Sequence, residues 1–213
     1  MKEIIKNNSI FLFPYALIMS VCGVCLWLYP KEVIHLWINS FHAPGWDFFF
    51  KYFTYMGSGV VAIVITLILL FVSYRHAAFI LSSYLSSSLI VQLLKRIIFP
   101  HVQRPVAFFE GKARLYLVPG TDPHMMQSFP SGHAATFFAV FLGLALLSKN
   151  NLHKLFFLCI ALVGSFSRIY LSEHFLVDVV TGSLVGVVTT VIMFYLYTAY
   201  PQGWYDKKIE IKK

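Results

Sequence analysis

Charge is scarce in this chain. Of its 213 residues only 12% are Asp, Glu, Lys or Arg, where a soluble domain carries about a quarter. A water-exposed surface for a fold of this size cannot be built from so few charges, and a disordered chain is excluded with it. Cysteine is scarce too: Cys22, Cys25 and Cys159 all lie inside apolar runs, which excludes a disulfide framework. Cys22-x-x-Cys25 has the form of a redox or zinc pair, but no further ligand lies near it in sequence, so helix packing is the expected role. Acidic residues number nine, and those at Glu110, Asp122, Glu173 and Asp178 do not form a carboxylate cage suited to magnesium. Internal repeats and low-complexity linkers are absent.

What the chain has in abundance is apolar surface. Hydrophobic residues make up 58% and aromatics 17%, with a mean hydropathy of +0.72. Such a chain belongs in a bilayer, where a spanning helix takes roughly 20 apolar residues. The net charge of +8 fits loops lying beside anionic lipid, together with an anionic substrate, and points away from nucleic acid.

The hydrophobic runs predict an all-α, integral-membrane bundle of six transmembrane helices forming a single domain over residues 1–213. The spans fall at about 10–28, 57–72, 77–94, 134–147, 155–170 and 177–200, with a long polar loop at 95–133. The first run has no small-x-small cleavage site after it and reads as a retained helix. Lys31 to Asp47, broken at Pro44-Gly45, reads as a short interfacial segment. Ser82-Ser83, Ser86 to Ser88, and Gly182, Ser183 and Gly186 suit close packing between membrane helices.

With six spans, both termini share one face. Basic residues divide almost evenly between the two faces, but most of those on the second face cluster in the long loop and at the helix ends beside it. With these set aside, the basic N-terminus and the tail ending Lys212-Lys213 put both termini in the cytoplasm. The ends of spans three and five and the starts of four and six then meet on the outer face.

Those helix ends carry the polar clusters. Lys95-Arg96 closes span three and Arg104-Pro105 follows. Pro130-Ser131-Gly132-His133 opens span four. Ser167-Arg168 closes span five, His174 follows, and Asp178 lies at the start of span six. Lys95 or Arg96, Arg104 and Arg168 supply cations suited to phosphate oxygens. Ser131 and the Gly132 amide sit at a helix start, a natural anion site. His174 and Asp178, spaced i, i+4, share a helical face, so Asp178 can hold Nδ1–H and turn Nε2 outward as a nucleophile. His133 is available to protonate a leaving group. Together these describe phosphoryl transfer through a phosphohistidine, with no metal and no cofactor required.

At these residues the sequence resembles the type-2 phosphatidic acid phosphatase family, the lipid phosphate phosphatases. Its pattern is Lys-x6-Arg-Pro, Pro-Ser-Gly-His and Ser-Arg-x5-His-x3-Asp. The second and third parts stand complete at Pro130 to His133 and at Ser167, Arg168, His174 and Asp178. The segment around Asn39, Asp47, Thr54 and Gly57 looks like the family's second helix, more loosely. The first part departs: eight residues separate Lys95 from Arg104, and seven separate Arg96 from it. Residue type favours Lys95.

The resemblance implies catalytic roles for His174, His133 and Asp178. It implies phosphate binding by Lys95, Arg104, Ser131, Gly132 and Arg168. The expected activity is metal-independent hydrolysis of a lipid phosphate or pyrophosphate in a bacterial inner membrane, with the site facing the periplasm or cell exterior. Undecaprenyl pyrophosphate, phosphatidylglycerol phosphate, phosphatidate and lipid A are candidate substrates. A phosphotransferase using the same histidine, or a non-catalytic lipid-binding or transport protein, remain the alternatives. Beyond substrate and membrane lipids no partner is implied.

Overall fold

A computed structural model of the chain describes residues 2–199 and 207–209. Tyr200 and the basic tail at Lys212-Lys213 lie outside the described residues. Among the described residues the secondary structure is entirely helical. In chain order the α-helices are α1 (Lys2–Asn7), α2 (Ser9–Leu28), α3 (Lys31–Asn39), α4 (Pro44–Phe53), α5 (Gly59–Leu70), α6 (Tyr74–Leu93), α7 (Pro105–Phe109), α8 (Gly132–Leu147), α9 (Asn151–Tyr170) and α10 (Leu176–Ala199).

Among the described residues, four helical stretches are long and apolar enough to cross a membrane alone: Ser9–Leu28, Tyr74–Ile98, Asn151–Tyr170 and Leu176–Ala199. A fifth crossing arises if Pro44–Gly57 and Gly59–Leu70, bent by 57°, count as one span. Helix α5 lies within the expected second span at 57–72, and the bent pair would extend that crossing back to Pro44. The break expected at Pro44-Gly45 falls between α3 and α4, and Pro44 also starts α4, because proline at the first helical position lacks only an amide that would be unpaired anyway. The aromatic run Phe48 to Phe50 then continues into the 3₁₀ turn Thr54–Gly57. The polar segment 95–133 is also less of a loop than its composition suggested, since helix persists to Ile98 and α7 lies within it.

The centre of the bundle is α8, an apolar helix of 16 residues. From Ala134 to Leu142 every residue is buried, with α6, α9 and α10 packed around it. Contact between α8 and α10 is so close that a Cβ on Gly182 would lie 2.2 Å from the Ser131 carbonyl oxygen, and one on Gly186 2.5 Å from that of Ala135. Small residues bring the two backbones together, and this is what sets the start of α8 against the start of α10. On α6, Ser83 and Ser87 are buried and turn their hydroxyls onto carbonyls of their own helix, at Phe79 (2.8 Å) and Tyr84 (2.9 Å).

Candidate active site

Three helix ends and the segment entering α8 build one polar centre. Ser131 is the N-cap of α8, its hydroxyl accepting from the Ala134 amide at 3.4 Å. Its own amide donates to the main-chain carbonyl of Asp178 at 2.9 Å, pinning α8 to α10. Gly132, at the first helical position, has an amide with no acceptor inside the helix.

At the end of α9 the chain turns sharply. The amides of Glu173 and His174 both donate to the Arg168 carbonyl, each at 3.0 Å, which folds the two side chains back over the helix terminus. The turn requires Ser172 to adopt φ 55°, a left-handed conformation costly for a residue with a Cβ. Its hydroxyl, 3.2 Å from His35 Nε2 and accepting from Asn39 Nδ2 at 3.3 Å, holds it there. Gln127 is the other non-glycine residue with positive φ among the described residues, at 57°, and its carbonyl accepts from Lys95 Nζ at 2.9 Å. Both strained residues thus lie next to groups that the sequence singles out.

Lys95 is buried and Arg96 exposed. Part of the irregular spacing has a physical cause: Leu94–Ile98 is a turn of π-helix, which accommodates one of the two extra residues without ending the helix. Arg104 is held by its amide on the Met125 carbonyl (2.9 Å) and by Nε on the Met126 carbonyl (3.0 Å). Arg168 donates through Nη1 to Thr54 Oγ1 at 2.7 Å. Its Nε has no hydrogen-bond partner, although the residue is only 7% exposed. Buried donors of this kind are rare and call for a ligand or a reason.

His174 Nδ1 faces Asp178 Oδ2 at 3.4 Å and Ser128 Oγ at 3.5 Å. The same carboxylate oxygen accepts from Ser128 Oγ at 2.5 Å and from the Phe175 amide at 2.9 Å. With Nδ1 turned toward the carboxylate, Nε2 is the outward nitrogen. Burial above all, then Arg104, Lys95 and Arg168, hold the His174 imidazole well below its ordinary pKa. These effects favour the neutral imidazole, the form in which a nitrogen can attack. His133 stands within electrostatic reach of Arg168, His174, Arg104 and Lys95.

All eight residues singled out from the sequence, Lys95, Arg104, Ser131, Gly132, His133, Arg168, His174 and Asp178, belong to this assembly. Among the described residues no three His, Cys, Asp or Glu side chains group as a metal site.

A family model for the PAP2 superfamily matches residues 76–201. The chain belongs to the PAP2 superfamily. It is a membrane phosphatase of that family. It is 25% identical to a lipid A 4'-phosphatase of Bacteroides thetaiotaomicron, over 71% of this chain and 69% of the relative. The crystal structure of Aquifex aeolicus LpxE superposes with a TM-score of 0.67 at 26% identity, covering 76% of this chain and 93% of that one. A transmembrane PAP2 type phosphatidylglycerolphosphate phosphatase from Bacillus subtilis shares the fold, with a TM-score of 0.67 at 21% identity over 93% and 98% of the two chains.

Four features of this PAP2 site had no role assigned from the sequence. Ser128 bridges the histidine–aspartate pair, and two residues ahead of Pro130 it carried no spacing signal. Thr54 anchors Arg168 from the bend between α4 and α5. Glu173 Oε2 forms ion pairs with Arg104 Nη1 and, at 3.5 Å, with Arg168 Nη2. Behind the site, the Asp47 carboxylate accepts from Tyr170 (2.6 Å), Tyr116 (2.8 Å) and His42 Nδ1 (2.9 Å). Asn39 exchanges two bonds of 2.9 Å with the backbone of Tyr116. This network ties the segment after α7 to the bundle.

Proposed function

We propose that the protein hydrolyses a lipid phosphate or pyrophosphate without a metal, through a phosphohistidine on His174. The observation that carries this reading is a buried His174, with Nδ1 turned to Asp178, in one polar centre with the buried cations Lys95, Arg104 and Arg168. Attack by Nε2 forms a P–N bond as the bond from phosphorus to the leaving oxygen breaks, and His133 donates a proton to that oxygen. Asp178 stabilises the charge the imidazole gains. Lys95, Arg104, Ser131, Gly132 and Arg168 hold the phosphoryl oxygens; the edge formed by Nε and Nη2 of Arg168 suits a forked contact, with Nη1 already committed to Thr54. Water, losing a proton to His133, then breaks the P–N bond and releases phosphate.

On this reading the chain is a single six-span domain over residues 1–213. The sixth crossing is α8, about 24 Å long at 1.5 Å per residue. Its short length is tolerable because its polar first turn opens into the site and its flanks touch protein rather than lipid. Both termini face the cytoplasm, and the site faces the periplasm or exterior of a bacterial cytoplasmic membrane. A phosphate headgroup enters there while its tails stay in lipid. Among undecaprenyl pyrophosphate, phosphatidylglycerol phosphate, phosphatidate and lipid A, the name of the Bacteroides relative makes lipid A the first substrate to test. Exposed Lys112 and Arg114 suit a headgroup with more than one phosphate.

The test is phosphate release in detergent, with EDTA present, from a panel of these lipids. Wild type releases phosphate, His174→Ala does not, and vanadate inhibits. Equal release by both proteins would end the histidine mechanism, and no release by a folded wild type would end the hydrolase reading.

A further inference from the structure

We propose that Glu173 is an internal competitor for the phosphoryl site and sets how readily product phosphate leaves. The inference rests on reading Arg104 and Arg168 as phosphoryl ligands. One carboxylate oxygen, Oε2, serves both guanidinium groups, through Arg104 Nη1 and, at 3.5 Å, Arg168 Nη2. A phosphoryl group that takes these two arginines must take them from Glu173.

The rest of the geometry suits exchange of one anion for another. Everything around the carboxylate is fixed by other bonds: Arg168 Nη1 by Thr54, Arg104 Nε by the Met126 carbonyl, and the Glu173 amide by the Arg168 carbonyl. Only the glutamate side chain has to move, and at 14% exposed it is not sealed in. Its position is asymmetric as well. Arg104 holds Oε2 closely, whereas the contact with Arg168 is loose and Arg168 Nε has no partner. An incoming phosphoryl oxygen can therefore engage Arg168 first and displace Glu173 from Arg104 second.

The consequence falls on the last step of the cycle. Inorganic phosphate, a small multivalent anion, would be held tightly by Lys95, Arg104 and Arg168 acting unopposed. A tethered carboxylate at high local concentration re-forms its ion pairs as phosphate departs, and so weakens product retention without altering the nucleophile.

Inhibition by inorganic phosphate tests this in the full-length protein. Glu173→Gln keeps the size and removes the charge, and Glu173→Ser removes the carboxylate altogether. Both variants are expected to bind phosphate about tenfold more tightly, as lost competition from one charge-assisted contact implies. The Michaelis constant for the lipid should fall in the same direction. An unchanged or weaker inhibition constant in both variants overturns the proposal; weaker binding would mean that the carboxylate positions the arginines for phosphate. Arg104→Gln and Arg168→Gln separate the two layers of the argument. If neither weakens phosphate inhibition, the arginines are not phosphoryl ligands and the underlying reading falls with the proposal.

Discussion

Gly182→Ala is the sharpest probe of how the site is assembled. The added Cβ would stand 2.2 Å from the Ser131 carbonyl oxygen and 3.1 Å from its carbon. A carbon–oxygen contact needs roughly 3.3 Å, so relief requires a movement of about 1 Å. The obstacle is main chain, not the end of a flexible side chain, and the Ser131 amide is itself bonded to Asp178. Overpacking of this kind costs about 1–3 kcal/mol. For a chain of this length that lowers Tm by on the order of 2–12 °C. Because the start of α8 moves, Ser131, Gly132 and His133 shift against His174, and a displacement near 1 Å costs about 100-fold in turnover. Gly23→Ala is the matched control, since no atom lies within 4 Å of its added Cβ; removing a mid-helix glycine there should stabilise by about 0.5–1 kcal/mol. Thermal unfolding in detergent and phosphate release read both effects. Wild-type stability and turnover in Gly182→Ala would refute the argument that backbone contact between α8 and α10 sets the site.

Asp178→Asn removes the charge facing His174 and should lower kcat by about 10- to 150-fold, the worth of a charge-assisted hydrogen bond, with lipid binding kept; a loss under threefold would contradict its role. Thr54→Val frees Arg168 Nη1 and should raise KM by about fivefold or more while changing kcat less, as steady-state kinetics on wild type and variant will register. His35 is buried against Phe109 and Phe175, and burial lowers its pKa to about 4 from an ordinary 6.5. The unfolded chain therefore binds the proton first as pH falls, so this residue's contribution is complete above about pH 6.5 and declines from there toward pH 4. Unfolding midpoints at pH 7 and pH 5 should differ less in His35→Gln than in wild type. His174, whose pKa is also lowered by burial and the neighbouring cations, should keep kcat/KM free of an imidazole-type acid limb near pH 6.5.

Sequence spacing revealed the site where its parts are local. Ser131 to His133 and Arg168 to Asp178 each fit within a turn or two of helix, so the pattern in the chain is nearly the pattern in space. Lys95 was harder, because a π-turn absorbs residues that a fixed spacing does not allow for. Pro44 was half legible: it was read as a break, which the end of α3 at Asn39 matches, but composition alone does not say that it also begins α4. The roles of Ser128, Thr54 and Glu173 were illegible for another reason, although Thr54 lies in the stretch of loose likeness to the family. Their roles depend on which distant segments the bundle brings together, and a serine, a threonine or a glutamate in a polar stretch is ordinary. The Asn39–Asp47–Tyr116 network was hinted at only through the loose likeness around Asn39 and Asp47; its tyrosine partners come from elsewhere in the chain.

That network divides the segment between α7 and α8 into two parts with separate attachments. Residues 125–128 are bonded into the reaction centre through Arg104, Lys95 and Asp178. The stretch ahead of them is moored instead to the back of the bundle, by Tyr116 on Asn39 and Asp47 and by Lys51 on the Pro119 carbonyl at 2.7 Å. Lys112 and Arg114 ride on this second part. A lineage of such enzymes can therefore rewrite the outer stretch, and with it the headgroup that is welcomed, while the chemistry beneath stays untouched. A chimaera that exchanges only residues 111–124 between two relatives would inherit the donor's taste in lipids and the recipient's rate.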